Sequence, residues 1–66
     1  MQIMINGISQ DLVQQQLLSD FLAAKGIAPE RVVVEINRLI VKREHFVSTT
    51  LNEGDSVEII RFVGGG

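Results

Sequence analysis

Apolar and polar residues alternate along the first two stretches of the chain, Met1–Asn6 and Ile8–Leu12. A period of two is typical of a half-buried β-strand, in which successive side chains point to opposite faces. The two stretches meet at Asn6-Gly7, and both residue types tolerate the positive φ angles of a type I′ turn. The pattern therefore predicts a β-hairpin at the start of the chain.

The spacing of the apolar residues then changes to three and four, which is typical of one face of an α-helix. The residues on this face are Val13, Leu17, Leu18, Phe21, Leu22 and Ala24. The helix could begin at Leu12, capped by Asp11. Alternatively the second strand continues to Val13 and the helix begins near Gln16, which is our prediction because the second strand needs length to pair. Gly26 predicts the end of the helix.

Three further strands are predicted after Pro29, which breaks the chain beyond the helix. They span Arg31–Asn37, Leu39–Val41 and Ser56–Val63. Asn37-Arg38 suits a tight turn between the first two strands, and Gly54 lies in a turn before the third, where we expect a positive φ. Phe46 and Leu51 are the apolar residues expected to anchor the intervening segment.

This order of elements, β-β-α-β-β-β, predicts an α+β domain in which one helix packs on one face of a mixed sheet. It is the layout of the β-grasp, or ubiquitin-like, fold, whose first and last strands lie parallel in the middle. The inward-facing positions give a predicted core. Its members are Ile3, Ile5, Leu17, Phe21, Val34, Ile36, Leu51, Val57 and Ile59. We expect one domain over residues 1–63 and a flexible tail over residues 64–66.

The composition narrows the classes of function. With 66 residues and a single His, the chain has little room for an active site beside a core, so we expect a protein that is not an enzyme. A net charge of −2 without a basic run argues against nucleic acid, and no apolar run is long enough for a membrane span. The absence of Cys excludes thiolate sites, and His45 is expected at the surface, so we predict no metal site and a cytoplasmic location.

Three of the six glycines stand together, at Gly64, Gly65 and Gly66. The other three lie at predicted turns or at the helix end, so only this run lacks a structural role. Three glycines at one chosen place occur by chance roughly once in a few thousand sequences. Because glycine has no Cβ, such a backbone can pass through a channel too narrow for side chains. The run therefore fits either a disordered end or a tail with a function of its own.

Several short segments, taken in order, match a known family. They are Met1-Gln2-Ile3, Glu35-Ile36-Asn37, Ile40-Val41, Arg43-Glu44, Leu51, Gly54-Asp55, Val57-Glu58-Ile59 and Val63-Gly64-Gly65-Gly66. Through them the whole chain resembles the ThiS family, the ubiquitin-like sulfur carrier proteins of thiamin biosynthesis. Their order, the length and the final glycines make the match specific. One departure is Gln14-Gln15-Gln16, which stands where the family often has a small polar helix cap.

The resemblance implies a carrier function. The α-carboxylate of Gly66 would be adenylated by an E1-like adenylyltransferase that uses ATP and Mg²⁺, so the chain itself is expected to bind no cofactor. The acyl-adenylate would become a thiocarboxylate with sulfur from a cysteine desulfurase, and thiazole synthase would take this sulfur for the thiazole ring. Gly64 and Gly65 would thread the partners' active sites, and the protein would be a co-substrate rather than an enzyme.

Two other functions fit the same residues. The sulfur carrier of molybdopterin biosynthesis has the same fold and final glycines, but it is usually longer and tends to carry prolines where this chain has Phe62-Val63. The second alternative is a ubiquitin-like tag or a non-covalent interaction domain. The mass of the native protein separates them, because a carrier exchanges oxygen for sulfur whereas a tag forms a protein adduct.

Strand alternation also predicts a docking face for the partners. If Val57 and Ile59 point to the helix, residues of the opposite parity point away from it. These are Met4, Val33, Ile60 and Phe62. Parallel central strands would bring Met4 close to Ile60 and Phe62 and form an apolar patch that leads into the tail. Four basic residues are expected to be solvated or to meet an acidic partner surface, namely Arg31, Arg38, Lys42 and Arg43.

Overall fold

The computed structural model describes residues 1–62 as five strands, one α-helix and two 3₁₀ helices. The strands are β1 (Gln2–Ile5), β2 (Ile8–Asp11), β3 (Val32–Ile36), β4 (Leu39–Val41) and β5 (Ser56–Arg61), and the helix is α1 (Leu18–Ala24). The 3₁₀ helices span Pro29–Arg31 and Arg43–Ser48. The predicted order of elements is confirmed, and β4 has its predicted bounds, whereas β5 ends at Arg61 rather than at Val63.

The strands form one mixed sheet in the order β2-β1-β5-β3-β4. β1 and β5 are parallel, and the other neighbouring pairs are antiparallel. The last strand therefore lies in the centre, between the two hairpins, as predicted for a β-grasp fold. α1 packs on one face of the sheet, since its residues Leu18, Phe21 and Leu22 share a buried cluster with Val34 and Val57.

Both hairpins close through residues in the left-handed region. Asn6 and Gly7 have φ angles of 49° and 81°, and Asn37 and Arg38 have 52° and 71°. Asparagine enters this region more readily than most non-glycine residues, so Asn6 and Asn37 are well suited to the first positions of the two turns. Both predicted turns are confirmed, and only Arg38 occupies a conformation that its side chain disfavours.

The two turn asparagines also fasten the hairpins to β5. The Asn6 Oδ1 accepts a hydrogen bond from the Ile59 N–H at 2.8 Å, and its Nδ2 donates to the Ile59 carbonyl at 3.3 Å. On the other side of β5, the Asn37 Oδ1 accepts from the Ser56 N–H at 3.0 Å, and its Nδ2 donates to Asp55 at 3.0 Å. Each asparagine thus supplies partners to β5 where its own strand turns away.

The core lies between α1 and the sheet. Its buried members are Ile3, Leu12, Leu18, Phe21, Leu22, Val32, Val34, Phe46, Leu51, Val57 and Ile59. Six of the nine predicted core residues are among them, and Ile5 and Ile36 pack against the cluster while partly buried. Phe46 and Leu51 are also buried, which confirms that they anchor the segment before β5.

The predicted start of the helix is wrong, because the helix begins later in the sequence than Gln16. β2 ends at Asp11 and does not reach Val13, whose side chain is fully exposed. The helix begins at Leu18, which is completely buried. Leu17 is the residue that precedes the helix and lies outside the core cluster, so its predicted core position is also wrong.

A short antiparallel pairing explains this late start. The Leu51 N–H donates to the Gln16 carbonyl at 2.9 Å, and the Leu18 N–H donates to the Thr49 carbonyl at 2.7 Å. These bonds flank a bridge between Leu17 and Thr50 and hold Leu17 in an extended conformation, so the helix cannot begin before Leu18. Apolar periodicity reports neighbours along a helix and gives no sign of a partner so distant in sequence.

Ile59 and Ile60 offer a matched test of which face of β5 is buried. The Ile59 side chain is 9% exposed and belongs to the core, whereas Ile60 is 47% exposed. We expect Ile59→Ala to lower the free energy of unfolding by about 2–5 kcal/mol, because apolar burial is lost and a cavity is left. Ile60→Ala should lower it by less than about 1 kcal/mol. Urea unfolding followed by circular dichroism measures both values, and equal losses would contradict the assigned facing.

Asn6→Gly tests the asparagine contact with β5 without straining the turn, because glycine accepts a positive φ. The variant leaves both backbone groups of Ile59 without their side-chain partners, so we expect the free energy of unfolding to fall by about 1–2 kcal/mol. Asn6→Asp keeps the acceptor but not the donor, so its free energy of unfolding should lie between that of the original protein and that of Asn6→Gly. A glycine variant as stable as the original protein would show that the contact adds no stability.

Candidate functional site at the end of the last strand

The predicted reactive group lies on the glycine run that follows β5. This run falls within residues 63–66, outside the described residues, so its role stays a prediction. The last described residue is Phe62, whose N–H donates to the Arg31 carbonyl at 3.0 Å. Because Val32 lies opposite Arg61, this bond extends the β3–β5 pairing by one residue, as far as the last described residue.

The sheet surface opposite α1, called here the open face, carries residues predicted to dock partners. Val57 and Ile59 lie in the core, so Glu58 and Ile60 point to the open face. Val33 lies opposite Ile60 in the β3–β5 pairing and is half-buried. These two apolar residues lie side by side, two positions before the end of the described chain.

Met4 lies on the open face but does not join this pair. The register of β1 and β5 places Met4 opposite Ser56, four residues before Ile60, which is about 13 Å along a strand. Glu58 lies in between, directly opposite a glutamate of β3. The predicted patch that brings Met4 close to Ile60 and Phe62 is therefore wrong. Alternation gives the face of a residue but not its position beside the neighbouring strand.

Phe62 contributes to a cleft at the end of the sheet. The cleft has a volume of about 250 Å³ and lies where the segment after α1 meets the end of β5. It is lined by Gly26, Ile27, Ala28, Arg31, Arg61 and Phe62. The Phe62 side chain is 58% exposed. Two arginines and an aromatic ring thus lie together in space at the end of the described chain, which precedes the glycine run.

The remaining polar candidates have structural or surface positions. The His45 residue is exposed, and its carbonyl accepts hydrogen bonds from the hydroxyls of Ser48 at 3.3 Å and Thr49 at 2.7 Å. Asp55 accepts the Asn37 side-chain bond beside β5. Within residues 1–62 no group of three or more His, Cys, Asp or Glu could hold a metal ion. The same part of the chain has no helix long and apolar enough to cross a membrane.

The sequence predictions missed that Arg31 and Arg61 line the same cleft. The two residues are 30 positions apart in the sequence and look like isolated charges. The signal that could have found them is the topology, because an antiparallel pairing of the third and last strands places the start of one beside the end of the other. The contacts of Asn6 and Asn37 with β5 were missed for the same reason.

A mixed five-stranded sheet with a parallel central pair and one helix on a single face defines a β-grasp, or ubiquitin-like, domain. The central last strand of this domain leads directly to a run of glycines. The chain belongs to the ThiS family, whose model matches residues 3–66. The family assignment made from the sequence is thereby confirmed.

Solved structures and curated relatives agree with this assignment. The crystal structure of the thiamine biosynthesis protein ThiS from Geobacter metallireducens matches with a TM-score of 0.86 and 35% identity, over 100% of both chains. The sulfur carrier protein ThiS of Bacillus subtilis is 37% identical over 49 residues, which cover 74% of each chain. These relatives share the fold and the family.

A second group of relatives is much longer than this chain. A protein of Magnetococcus marinus named thiazole synthase is 36% identical over 66 residues, which cover 100% of this chain but 20% of that protein. A thiazole synthase of Paramagnetospirillum magneticum is 32% identical with the same coverage. The chain therefore spans about one fifth of the length of these two curated relatives.

Proposed function

We propose that this protein is a sulfur carrier of thiamin biosynthesis and that Gly66, where it ends the chain, holds the sulfur as a thiocarboxylate. The observation that carries the proposal is the match of the ThiS family model to residues 3–66, a span that includes all three final glycines. The sulfur carrier protein of Bacillus subtilis gives further support from its name and similarity. In this function the protein is a co-substrate, and no side chain performs the chemistry.

The chemistry takes place on the carboxylate in two stages. An E1-like adenylyltransferase uses ATP and Mg²⁺: a carboxylate oxygen of Gly66 attacks the α-phosphorus, pyrophosphate leaves, and an acyl-adenylate forms. A persulfide supplied by a cysteine desulfurase then attacks the carbonyl carbon, and AMP leaves. A thiol cleaves the resulting sulfur–sulfur bond, which leaves one sulfur atom on the glycine as a thiocarboxylate.

The chain contributes a sterically unhindered glycine carbonyl and a rigid domain that carries it. A glycine carbonyl has no Cβ beside it, so a nucleophile can approach from either face, and Gly64 and Gly65 can follow through a narrow channel. Arg31 holds the backbone of Phe62 just before the run. The partner can therefore bind the rigid domain next to the residue from which the glycine run follows.

Thiazole synthase is the proposed acceptor of the sulfur. Support comes from the two proteins of this name in which a segment similar to the whole chain makes up 20% of the length. Domains that occur joined in one protein commonly act on the same substrate, so we infer that carrier and synthase work together. These enzymes and their substrates are cytoplasmic in our proposal, and neither nucleic acid nor membrane takes part.

The chain end provides the direct test of the carrier function. Incubation with the adenylyltransferase, ATP, Mg²⁺ and the sulfur donor should raise the intact mass by one oxygen-to-sulfur exchange. Removing Gly66, or adding one alanine after it, should abolish this change, because the carboxylate no longer reaches the α-phosphate. Circular dichroism of both variants should stay native. Full thiocarboxylate formation by the shortened chain would refute the role of Gly66, and a protein adduct would indicate a tag.

The open face provides a second test, because the proposed partners must bind next to the tail. Ile60 lies with Val33 near the tail, whereas Met4 lies at the far end of the open face. We expect Ile60→Asp to weaken binding to the adenylyltransferase at least about tenfold, the effect of losing a well-placed apolar contact. Met4→Asp, the matched control, should change binding by less than about twofold. Calorimetry measures both affinities, and equal effects would exclude Ile60 as a docking residue.

A further inference from the structure

The basic residues are concentrated at one end of the domain. The chain has a net charge of −2 and six Lys and Arg. Five of these six lie toward the end at which β5 passes into the glycine run, and together they are called the basic end. They are Lys25, Arg31, Lys42, Arg43 and Arg61. Glu30 and Glu44 are the acidic residues that directly adjoin members of the basic end in the sequence.

The contacts and the strand register place these residues together. Arg31 and Arg61 line the same cleft, and Lys25 directly precedes Gly26 of that cleft. β4 runs antiparallel to β3 and ends near its start, so the two basic residues that follow β4 leave the sheet at the same end. All five residues are exposed. They therefore lie at the end of the domain from which the tail follows and are accessible to a partner.

The other end of β5 carries more acidic than basic residues. Asp11 and Glu53 both lie beside the start of β1. Asp55 directly precedes β5, and the positive charges at this end of the described chain are Arg38 and the amino group of Met1. The domain is thus polarised along β5, because the end where the tail begins carries five basic residues with Glu30 and Glu44, whereas the opposite end carries three carboxylates with Arg38 and the amino group of Met1.

We propose that the basic end docks on an acidic protein surface around the mouth of the channel that receives the tail on the activating enzyme. Arg31 and Arg61 are the paired contacts, and an apolar side chain of the enzyme fills the cleft between them. The inference rests on the proposed carrier function. A positive pole at the root of the tail turns the domain tail-first toward an acidic surface, although the whole chain carries a net negative charge.

The structure favours an acidic protein surface over the phosphates of the nucleotide. Between the arginines the cleft is lined by Ile27, Ala28 and Phe62, whose side chains can pack against an apolar group but offer no hydrogen-bond donor to a phosphate. Both arginines are exposed. Exposed charges at the rim of an interface act mainly on the rate of association and on its salt dependence, whereas a phosphate site requires converging donors.

Charge reversal at the two ends of β5 tests the inference. Association of the protein with the E1-like adenylyltransferase, without ATP, is followed by stopped-flow fluorescence over a series of salt concentrations. Arg31→Glu and Arg61→Glu should each lower the association rate constant about tenfold at low salt and flatten its salt dependence. Arg38→Glu is the matched control, since it makes the same charge change at the opposite end and should alter the rate less than about twofold.

Milder substitutions at Arg61 separate an effect of charge from a loss of folding. Arg61→Gln should lower the association rate by about threefold, between the original protein and Arg61→Glu, and Arg61→Lys should leave it nearly unchanged, because the effect depends on charge. Unfolding by urea shows whether each variant is folded. A rate that falls equally in Arg38→Glu and Arg61→Glu overturns the inference. So does an unchanged association rate with a raised KM for ATP, since this assigns the arginines to the nucleotide.

Failure of the carrier function is recognised separately. Pyrophosphate release by the original protein with the adenylyltransferase and ATP reports formation of the acyl-adenylate. If neither binding nor pyrophosphate release is observed with the original protein, the proposed function is refuted and the inference falls with it. If pyrophosphate is released and all charge variants associate at the same rate, the carrier function stands and only the acidic docking surface is refuted.

Discussion

The structure depends on the placement of its last strand at the centre of the sheet. β5 pairs with β1 on one side and with β3 on the other, and within the sheet the two hairpins meet nowhere else. Asn6 and Asn37 add side-chain hydrogen bonds to β5 from the two turns. Each hairpin can form locally, but a common core arises only when β5 lies between them.

The same strand divides its residues between stability and recognition. Val57 and Ile59 fill the core, Ile60 points to the open face, and Arg61 lines the cleft beside the root of the tail. Because these positions alternate along one rigid strand, the distance between core and docking residues is fixed by the backbone. Changes that loosen the core under β5 therefore also displace the surface that a partner would bind.

Local patterns in the sequence predicted the local elements well. Alternation located the strands, Asn6-Gly7 located the first turn, and Gly26 located the end of the helix with a φ of 72°. The reactive role of the glycine run, which no turn or cap requires, stays a prediction because the run lies outside the described residues. Each of these signals depends on the conformation of one residue or of its near neighbours, which is the information that a single sequence carries.

The features that were not predicted all depend on residues distant in the sequence. The bond between Leu51 and Gln16 delays the helix, and the register of β1 against β5 separates Met4 from Ile60. The basic end likewise arises only when several elements finish at the same edge of the sheet. A two-residue change in register keeps every side chain on the same face of the sheet, so the apolar pattern of the sequence cannot report it.

The central position of the last strand also governs when the protein can fold during its synthesis. While the ribosome still holds β5, the emerging chain consists of two hairpins and a helix, and the edges of β1 and β3 that β5 later covers are open to other chains. A chain that is cut or terminated before β5 lacks the strand that joins its two hairpins, and we expect cellular proteases to cleave it readily. Folding therefore favours molecules that have the strand preceding the glycine run.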